Sequence, residues 1–218
     1  RILVAGGGGG PQASAEVIDL NSPSPAFREV AAMSVARRHF NLTILADGTV
    51  LATGGTSLPG NNALGAVLAS ELWDPDTESW TSLASMSVPR LYHSVALLLP
   101  DARVLAAGGG HPSDTANGDP DHLDGEIFSP PYRFRGARPV ILSARASVAL
   151  GEAFVVLTQP DPEPTRVTWV RLSSVTHSFN MNQRFVELDS RPVPGGRLAI
   201  APSSSHLAPP GHYLMLVL

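Results

Sequence analysis

Two short segments of the sequence carry side chains that together could bind a transition metal. One is Tyr92-His93, just before an apolar segment, and the other holds His177, 84 residues after His93. Imidazole nitrogens and a phenolate oxygen suit Cu(II), which prefers a tetragonal set of nitrogen and oxygen donors. Adjacent side chains of an extended strand point in opposite directions, so Tyr92 and His93 reach one ion only if the backbone turns. On spacing alone such residues are more often surface or packing residues than metal ligands, and that alternative stays open.

Three repeats in the first half of the chain predict the elements that position Tyr92 and His93. Each repeat has an apolar segment that ends in Gly-Gly, at residues 1–7, 49–55 and 103–109. Each continues to a glutamate before two apolar residues, Glu16, Glu71 and Glu126, with a spacing of 55 both times. A period of ~50 residues with strands ending in Gly-Gly is typical of kelch repeats, each of which forms one antiparallel blade of a β-propeller. Glycine is expected at these strand ends because it tolerates positive φ and close approach of another backbone.

A second region begins after the basic, proline-bearing segment 129–139, where the Gly-Gly period stops. Five short alternating segments follow, at residues 153–158, 166–172, 183–188, 197–201 and 213–218. Such strands, separated by proline and glycine turns, favour an immunoglobulin-like sandwich, and no segment has a helical period. We therefore predict an all-β fold with two domains, kelch-type β-propeller blades in residues 1–135 and an immunoglobulin-like sandwich in residues 136–218.

The composition argues against nucleic-acid and membrane partners. The 218 residues are 43% hydrophobic and 16% charged, with a net charge of −4, as in an ordered globular protein. That charge does not attract nucleic acid or an anionic membrane surface. No apolar run approaches the ~20 residues of a membrane helix. We expect neither partner.

Both ends of the sequence indicate a piece of a longer protein. Residues 1–5 and 213–218 already have the pattern of buried strands, and domains rarely begin and end inside a strand. We therefore expect the second domain to be truncated at its end and any targeting segment to lie outside the chain. The chain has no cysteine, which excludes disulfides and thiolate metal sites within it.

Three stretches resemble the galactose oxidase and glyoxal oxidase family of copper radical enzymes. The first is residues 90–110, which begin Arg-Leu-Tyr-His-Ser, and the second is residues 122–132, from His-Leu-Asp-Gly-Glu to Pro-Pro-Tyr. The third is Thr-His-Ser-Phe-Asn-Met-Asn-Gln-Arg at residues 176–184, with the later segment 208–215. The stretches occur in the family's order and span most of residues 85–218.

The resemblance implies a kelch propeller capped by an immunoglobulin-like, early-set domain, from which a hairpin delivers one histidine to copper (Cu²⁺). His177 matches that histidine, while Tyr92 and His93 match the family's Tyr-His-Ser motif. His93 and His177 would then be equatorial metal ligands. Tyr92 would be the axial metal ligand and the catalytic base that accepts the proton of the alcohol.

The sequence departs from the family at the second redox centre. In the family this centre is a tyrosyl radical on a tyrosine that is cross-linked to a cysteine. The chain has no cysteine, and neither Tyr132 nor Tyr213 stands in the radical context. We therefore expect the radical pair only outside this segment, and we expect the segment alone to be inactive.

The function implied by the resemblance is that of a secreted or cell-surface oxidase. It would act as a monomer on a small primary alcohol, aldehyde or carbohydrate, with O₂ reduced to H₂O₂. Two alternatives stay open: a non-catalytic kelch and sandwich module that binds carbohydrate or protein at the cell surface, and a copper-binding protein without radical chemistry.

Several other motifs favour structural roles. Gly6–Gly10 does not fit a dinucleotide-binding loop, because Pro11 stands at the third glycine position and no amphipathic helix follows. His39 holds the position in its repeat that Tyr92 holds in the next one, so its side chain is expected at the same end of the blades. A polar residue at the blade edge is favoured there over a residue that lines the substrate mouth. The sequon at Asn41 abuts a predicted strand and is discounted.

An acidic loop and one arginine complete the candidates. The loop contains Asp114, Asp119, Asp121 and Asp124 together with His111 and His122. Its spacing fits no EF-hand, so a solvated loop is favoured over a Ca²⁺ site. Arg184 is expected near the His177 hairpin, where its guanidinium could orient the hairpin through a hydrogen bond or an ion pair.

Overall fold

The computed structural model describes residues 1–111 and 118–218, which form an all-β protein. The strands within these residues are β1 (Ile2–Ala5), β2 (Ala15–Ile18), β3 (Phe27–Val30), β4 (Arg38–Ile44), β5 (Val50–Thr56), β6 (Ala69–Asp74), β7 (Ser79–Ser85), β8 (Ser94–Leu98), β9 (Val104–Gly108), β10 (Gly125–Phe128), β11 (Ile141–Ser143), β12 (Ala153–Thr158), β13 (Val167–Arg171), β14 (Phe185–Glu187), β15 (Asp189–Val193), β16 (Gly196–Ile200) and β17 (Tyr213–Val217). Two short 3₁₀ helices span Ala63–Gly65 and Pro131–Phe134. Among the described residues, no helix has the length and apolar character needed to cross a membrane.

Strands β1–β10 form three antiparallel sheets that follow the three sequence repeats. Their strand orders are β1-β2-β3, β4-β5-β6-β7 and β10-β9-β8. In each sheet the strand that leads to Gly-Gly pairs with the strand that carries the repeated glutamate. The registers agree, because Glu16, Glu71 and Glu126 lie opposite Val4, Ala52 and Ala106. The three repeats thus form three antiparallel sheets with an up-and-down strand order, an order that propeller blades also have.

The remaining strands form a two-sheet sandwich. One sheet has the order β11-β12-β16-β15 and the other β14-β13-β17. The core between them contains Phe154, Val156, Val167 and Ala199, all buried. The sequence indicated five strands here, and the structure adds β11 and β15. Strand β11 has three residues, and β15 contains Pro192, which is tolerated because β15 is an edge strand.

The sandwich packs against the turns that follow β4 and β8. Ala46 and Ala102 from those turns form one apolar cluster with Val170 of β13 and Leu216 of β17. Thr168 of β13 also donates its hydroxyl to the carbonyl of Ala46, at 2.8 Å. The start of the loop after β13 is therefore fixed against the second and third sheets.

The Gly-Gly turns bring neighbouring sheets into backbone contact. Gly54 has φ +75°, and a Cβ there would lie 2.2 Å from the carbonyl oxygen of Arg90 in the next sheet. Gly55 donates its N–H to that same oxygen at 2.8 Å. One repeat earlier, Gly7 makes the equivalent bond to the carbonyl of Arg37, at 2.9 Å. Gly54 therefore meets both requirements expected from the sequence, positive φ and close approach, whereas a Cβ at Gly7, Gly108 or Gly109 would meet no atom closer than 3.5 Å.

We expect Gly54→Ala to lower the free energy of unfolding by about 1–3 kcal/mol, because the residue combines a left-handed φ with a backbone contact that excludes a Cβ. Denaturant unfolding of the protein, expressed from its complete reading frame, measures the change. Gly9→Ala is the control, since a Cβ at Gly9 has no atom within 4 Å. Equal stability of the two variants would contradict this account of the turn.

A buried ion pair ties together the segment before β4 and strand β6. The side chains of Arg37 and Glu71 are 0% and 1% exposed. Arg37 also donates to the carbonyls of Gly54 and Ala69, and Glu71 accepts the N–H and hydroxyl of Ser34. Burial lowers the pKa of Arg37 despite the opposing effect of Glu71, so the cation depends on this carboxylate.

Replacing Glu71 by glutamine is expected to lower the free energy of unfolding by about 3 kcal/mol or more, because it leaves the buried Arg37 cation without its counter-charge. Glu16→Gln is the matched control, since Glu16 holds the same repeat position and is exposed. Denaturant unfolding compares the two variants. A loss below about 1 kcal/mol for Glu71→Gln would show that the ion pair contributes little.

Candidate metal centre

Tyr92 and His93 lie in a sharp turn at the start of β8. His93 has φ +66°, and Ser94 donates its N–H to the carbonyl of Leu91 at 3.1 Å. The turn places the Tyr92 and His93 rings on the same side, with their centroids 4.0 Å apart. The backbone therefore turns where the sequence required it for both residues to reach one ion.

His177 reaches the same place from the other end of the chain. It lies in the loop between β13 and β14, within a small turn closed by two hydrogen bonds between Thr176 and Phe179. Its ring centroid is 5.0 Å from that of His93 and 5.4 Å from that of Tyr92. The structure therefore brings together all three predicted site residues.

Hydrogen bonds fix which nitrogen of each imidazole is available. Nδ1 of His93 lies 3.2 Å from the carbonyl oxygen of Gly110, which can only accept, so Nδ1 is the donor. Nδ1 of His177 lies 2.6 Å from the hydroxyl of Thr176. In metal sites such a partner on one ring nitrogen sets the tautomer and leaves the other nitrogen for the metal. Nε2 is therefore the nitrogen of His93 that is available to a metal. The same holds for His177 when the Thr176 hydroxyl accepts the hydrogen bond from Nδ1.

The donor set fits part of a copper site. It consists of two imidazole nitrogens and one phenol oxygen, donor types that suit Cu(II). In the part of the chain that the structure describes, no group of three or more His, Cys, Asp and Glu side chains could hold a metal. His93 and His177 are exposed, and Tyr92 is half-buried. The cluster is thus open on one side, where further donors could approach.

Two more histidines stand around Tyr92. The His39 ring centroid lies 5.0 Å from that of Tyr92, as the repeat alignment expected, and His39 has a left-handed φ of +56°. Burial, reinforced by the nearby Arg38 guanidinium, lowers the pKa of His39 to about 4, so the ring is neutral near pH 7. The ring of His111 lies 5.5 Å from that of Tyr92. Sequence reasoning placed His111 in the acidic loop and missed this position, although it directly follows the third Gly-Gly turn.

The acidic loop is not uniformly solvated. Asp119 is fully buried and lies 3.0 Å from Nε2 of His122, and burial raises the pKa of its carboxyl group. Asp124 accepts a hydrogen bond from Arg90, which lowers the pKa of Asp124. The expectation of a solvated loop is therefore wrong for Asp119. Asp114 lies outside the described residues.

The remaining candidates take structural roles. Arg184 donates to the carbonyls of His206 and Leu207, so it fastens the loop before β17. Tyr132 and Tyr213 donate their hydroxyls to the carbonyls of Ala102 and Pro209. Asn41 is 3% exposed and donates to the hydroxyl of Ser94, which agrees with the discounted sequon.

Comparisons with known proteins agree with the geometry. Residues 138–218 match the family model of the galactose oxidase-like early set domain. Galactose oxidase of Gibberella zeae is 30% identical to this chain, and the match covers 100% of this chain and 34% of the oxidase. Aldehyde oxidase GLOX1 of Arabidopsis thaliana is 33% identical, and the match covers 91% of this chain and 36% of GLOX1. A solved fungal alcohol oxidase of the AA5 family, in complex with copper, aligns with a TM-score of 0.89 and 30% identity, over 99% of this chain and 48% of that one. The chain thus spans about a third of the length of these curated relatives.

Proposed function

The chain belongs to the galactose oxidase and glyoxal oxidase family, and from that premise we propose that it forms part of an extracellular copper radical oxidase. The protein would oxidise a primary alcohol to an aldehyde, or a hydrated aldehyde to an acid, and reduce O₂ to H₂O₂. Two electrons and two protons pass from the substrate to O₂ in either reaction, so the equation balances without another reductant.

The observation that carries this proposal is the convergence of Tyr92, His93 and His177. Their ring centroids lie 4.0–5.4 Å apart, although His177 is 84 residues from His93. Nδ1 of each imidazole already has a hydrogen-bond partner, which supports metal binding through both Nε2 atoms. The phenol oxygen of Tyr92 would complete the part of the donor set that this chain supplies.

Each side chain of the centre has a separate task in this proposal. A copper ion held by these three residues would lower the pKa of a coordinated alcohol and supply one-electron redox chemistry. His93 and His177 would bind it through Nε2, because Nδ1 of each ring lies beside a hydrogen-bond partner, the carbonyl of Gly110 or the hydroxyl of Thr176. Tyr92 would accept the hydroxyl proton of the substrate at its phenol oxygen. His39, neutral near pH 7, adds no positive charge beside the Tyr92 ring.

The proposal needs donors that this chain does not contain. Because the chain has no cysteine, the cross-linked tyrosyl radical would come from residues elsewhere in the protein. The first sheet has an exposed apolar surface on which a further sheet could pack, formed by Ile2, Val4 and Phe27, which are 48%, 46% and 53% exposed.

We propose kelch blades in residues 1–135 and an early-set domain in residues 136–218, within a monomer. A binding module without catalysis is the outcome if these donors are missing.

We expect the protein, expressed from its complete reading frame, to bind one Cu(II) ion, and His177→Ala to weaken that binding by more than about 100-fold, since loss of a ligand exceeds the 10–100-fold cost of losing its supporting partner. Titration of the metal-free protein with Cu(II) measures the affinity. His206→Ala is the control, because His206 is exposed and outside the ring cluster. Unchanged affinity in His177→Ala would contradict the assignment.

Copper-loaded protein is expected to produce H₂O₂ from primary alcohols or aldehydes, and Tyr92→Phe to reduce kcat by about 10²–10⁴-fold through loss of the proton acceptor. A peroxidase-coupled assay measures the product. Tyr213→Phe serves as control, because its hydroxyl bonds only the carbonyl of Pro209 among the described residues. A copper-loaded protein that produces no peroxide from a broad set of such substrates would instead support the binding module.

A further inference from the structure

Gln183 makes an unusual contact between the His177 loop and strand β4. Its side-chain oxygen accepts the N–H of Ile44 at 2.7 Å, and its side-chain nitrogen donates to the carbonyl of Leu42 at 2.8 Å. Strand β4 is the edge strand of its sheet, so these backbone groups have no neighbouring strand to pair with. A primary amide offers one acceptor and two donors, and Gln183 uses one of each as a paired strand would.

This contact joins the two halves of the metal centre. Gln183 lies six residues after His177 in the same loop. On the other side, Asn41 of β4 donates to the hydroxyl of Ser94 at 3.0 Å, and Ser94 directly follows His93. A continuous path of hydrogen bonds and backbone therefore runs from the His177 loop through β4 to His93.

The loop has few other attachments. Among the described residues, the hydrogen bonds made by residues 173–182 stay within residues 173–183, such as Ser174 to Asn180 and Thr176 to Phe179. Phe179 and Met181 are 67% and 89% exposed, so the two large apolar side chains of the loop tip do not pack it against the sheets. Gln183 thus supplies the polar contact that attaches this loop to the sheet that carries Leu42 and Ile44.

We propose that Gln183 is a positioning residue of the metal centre: its amide docks the loop on the edge of β4 and so sets where the His177 ring stands relative to His93 and Tyr92. The inference rests on the proposed copper function, in which His177 is a ligand. It assigns Gln183 no contact with substrate or metal. The geometry also distinguishes it from the adjacent Arg184, which bonds carbonyls of the loop before β17.

The test uses Gln183→Met, which keeps the length of the side chain and removes both hydrogen bonds, in the protein expressed from its complete reading frame. Gln159→Met is the matched control, because Gln159 is an exposed glutamine of the sandwich. Gln183→Glu is a second variant that keeps an acceptor for Ile44 but presents a second acceptor to the carbonyl of Leu42.

Two readouts separate positioning from a general role in folding. In the metal-free protein, hydrogen exchange at the Ile44 amide should become faster in Gln183→Met, while the thermal unfolding midpoint stays near that of Gln159→Met. In Cu(II) titrations, Gln183→Met and Gln183→Glu should bind about 10–100-fold more weakly than Gln159→Met, the range found when a supporting partner of a ligand is lost. Their Cu(II) electron paramagnetic resonance spectra should shift towards that of His177→Ala.

The possible failures are distinguishable. If the unaltered protein binds no Cu(II), the proposed function fails, and the exchange of Ile44 still reports whether the amide docks the loop. If the unaltered protein binds Cu(II) and Gln183→Met binds it equally well with the same spectrum, the inference about Gln183 alone is overturned. Global unfolding of metal-free Gln183→Met would also overturn it, because the amide would then hold the fold rather than His177.

Discussion

The backbone contact between Gly55 and Arg90 is the constraint on which the rest of the site depends. The N–H of Gly55 holds the Arg90 carbonyl at 2.8 Å, and Gly54 leaves no room for a Cβ beside it. The guanidinium of Arg90 in turn donates to the carbonyl of Gly108 in its own sheet. Arg90 is therefore held at both ends, and the turn that presents Tyr92 and His93 starts from a fixed point.

The backbone conformation around the ring cluster is costly and therefore informative. His39, His93 and His177 all have φ between +53° and +66°, a region that residues other than glycine seldom occupy. Such conformations persist where the surrounding structure determines them, and they concentrate at functional sites. Here each of the three rings lies beside Tyr92. Glu78 and Ala102 have the same conformation in turns between strands, whereas the three histidines that have it all contact the candidate metal centre.

Charge and burial divide the remaining polar residues into framework and site. Arg37 and Glu71 are buried together and hold the second sheet, while Arg90 and Asp124 hold the third. Asp119 is buried against His122, next to the segment that carries His111. Tyr92 is half-buried, and His93 and His177 are exposed, so a ligand can reach all three. The buried side chains of Arg37, Glu71 and Arg90 thus fix the second and third sheets, next to the turn that carries Tyr92 and His93.

The sequence alone determined the local features of this protein, and the tertiary structure decided how distant segments meet. The Gly-Gly repeats predicted the three sheets, because positive φ at a strand end favours glycine, and the Tyr-His motif marked the turn at the candidate metal centre. The position of His111, the burial of Asp119 and the docking of Gln183 could not be derived from local pattern. Gln183 lies 141 residues from Leu42, and its polar side chain gives no local sign of its partner. Such contacts exist only after the sheets and the sandwich have packed, because packing alone brings their edges within hydrogen-bonding distance.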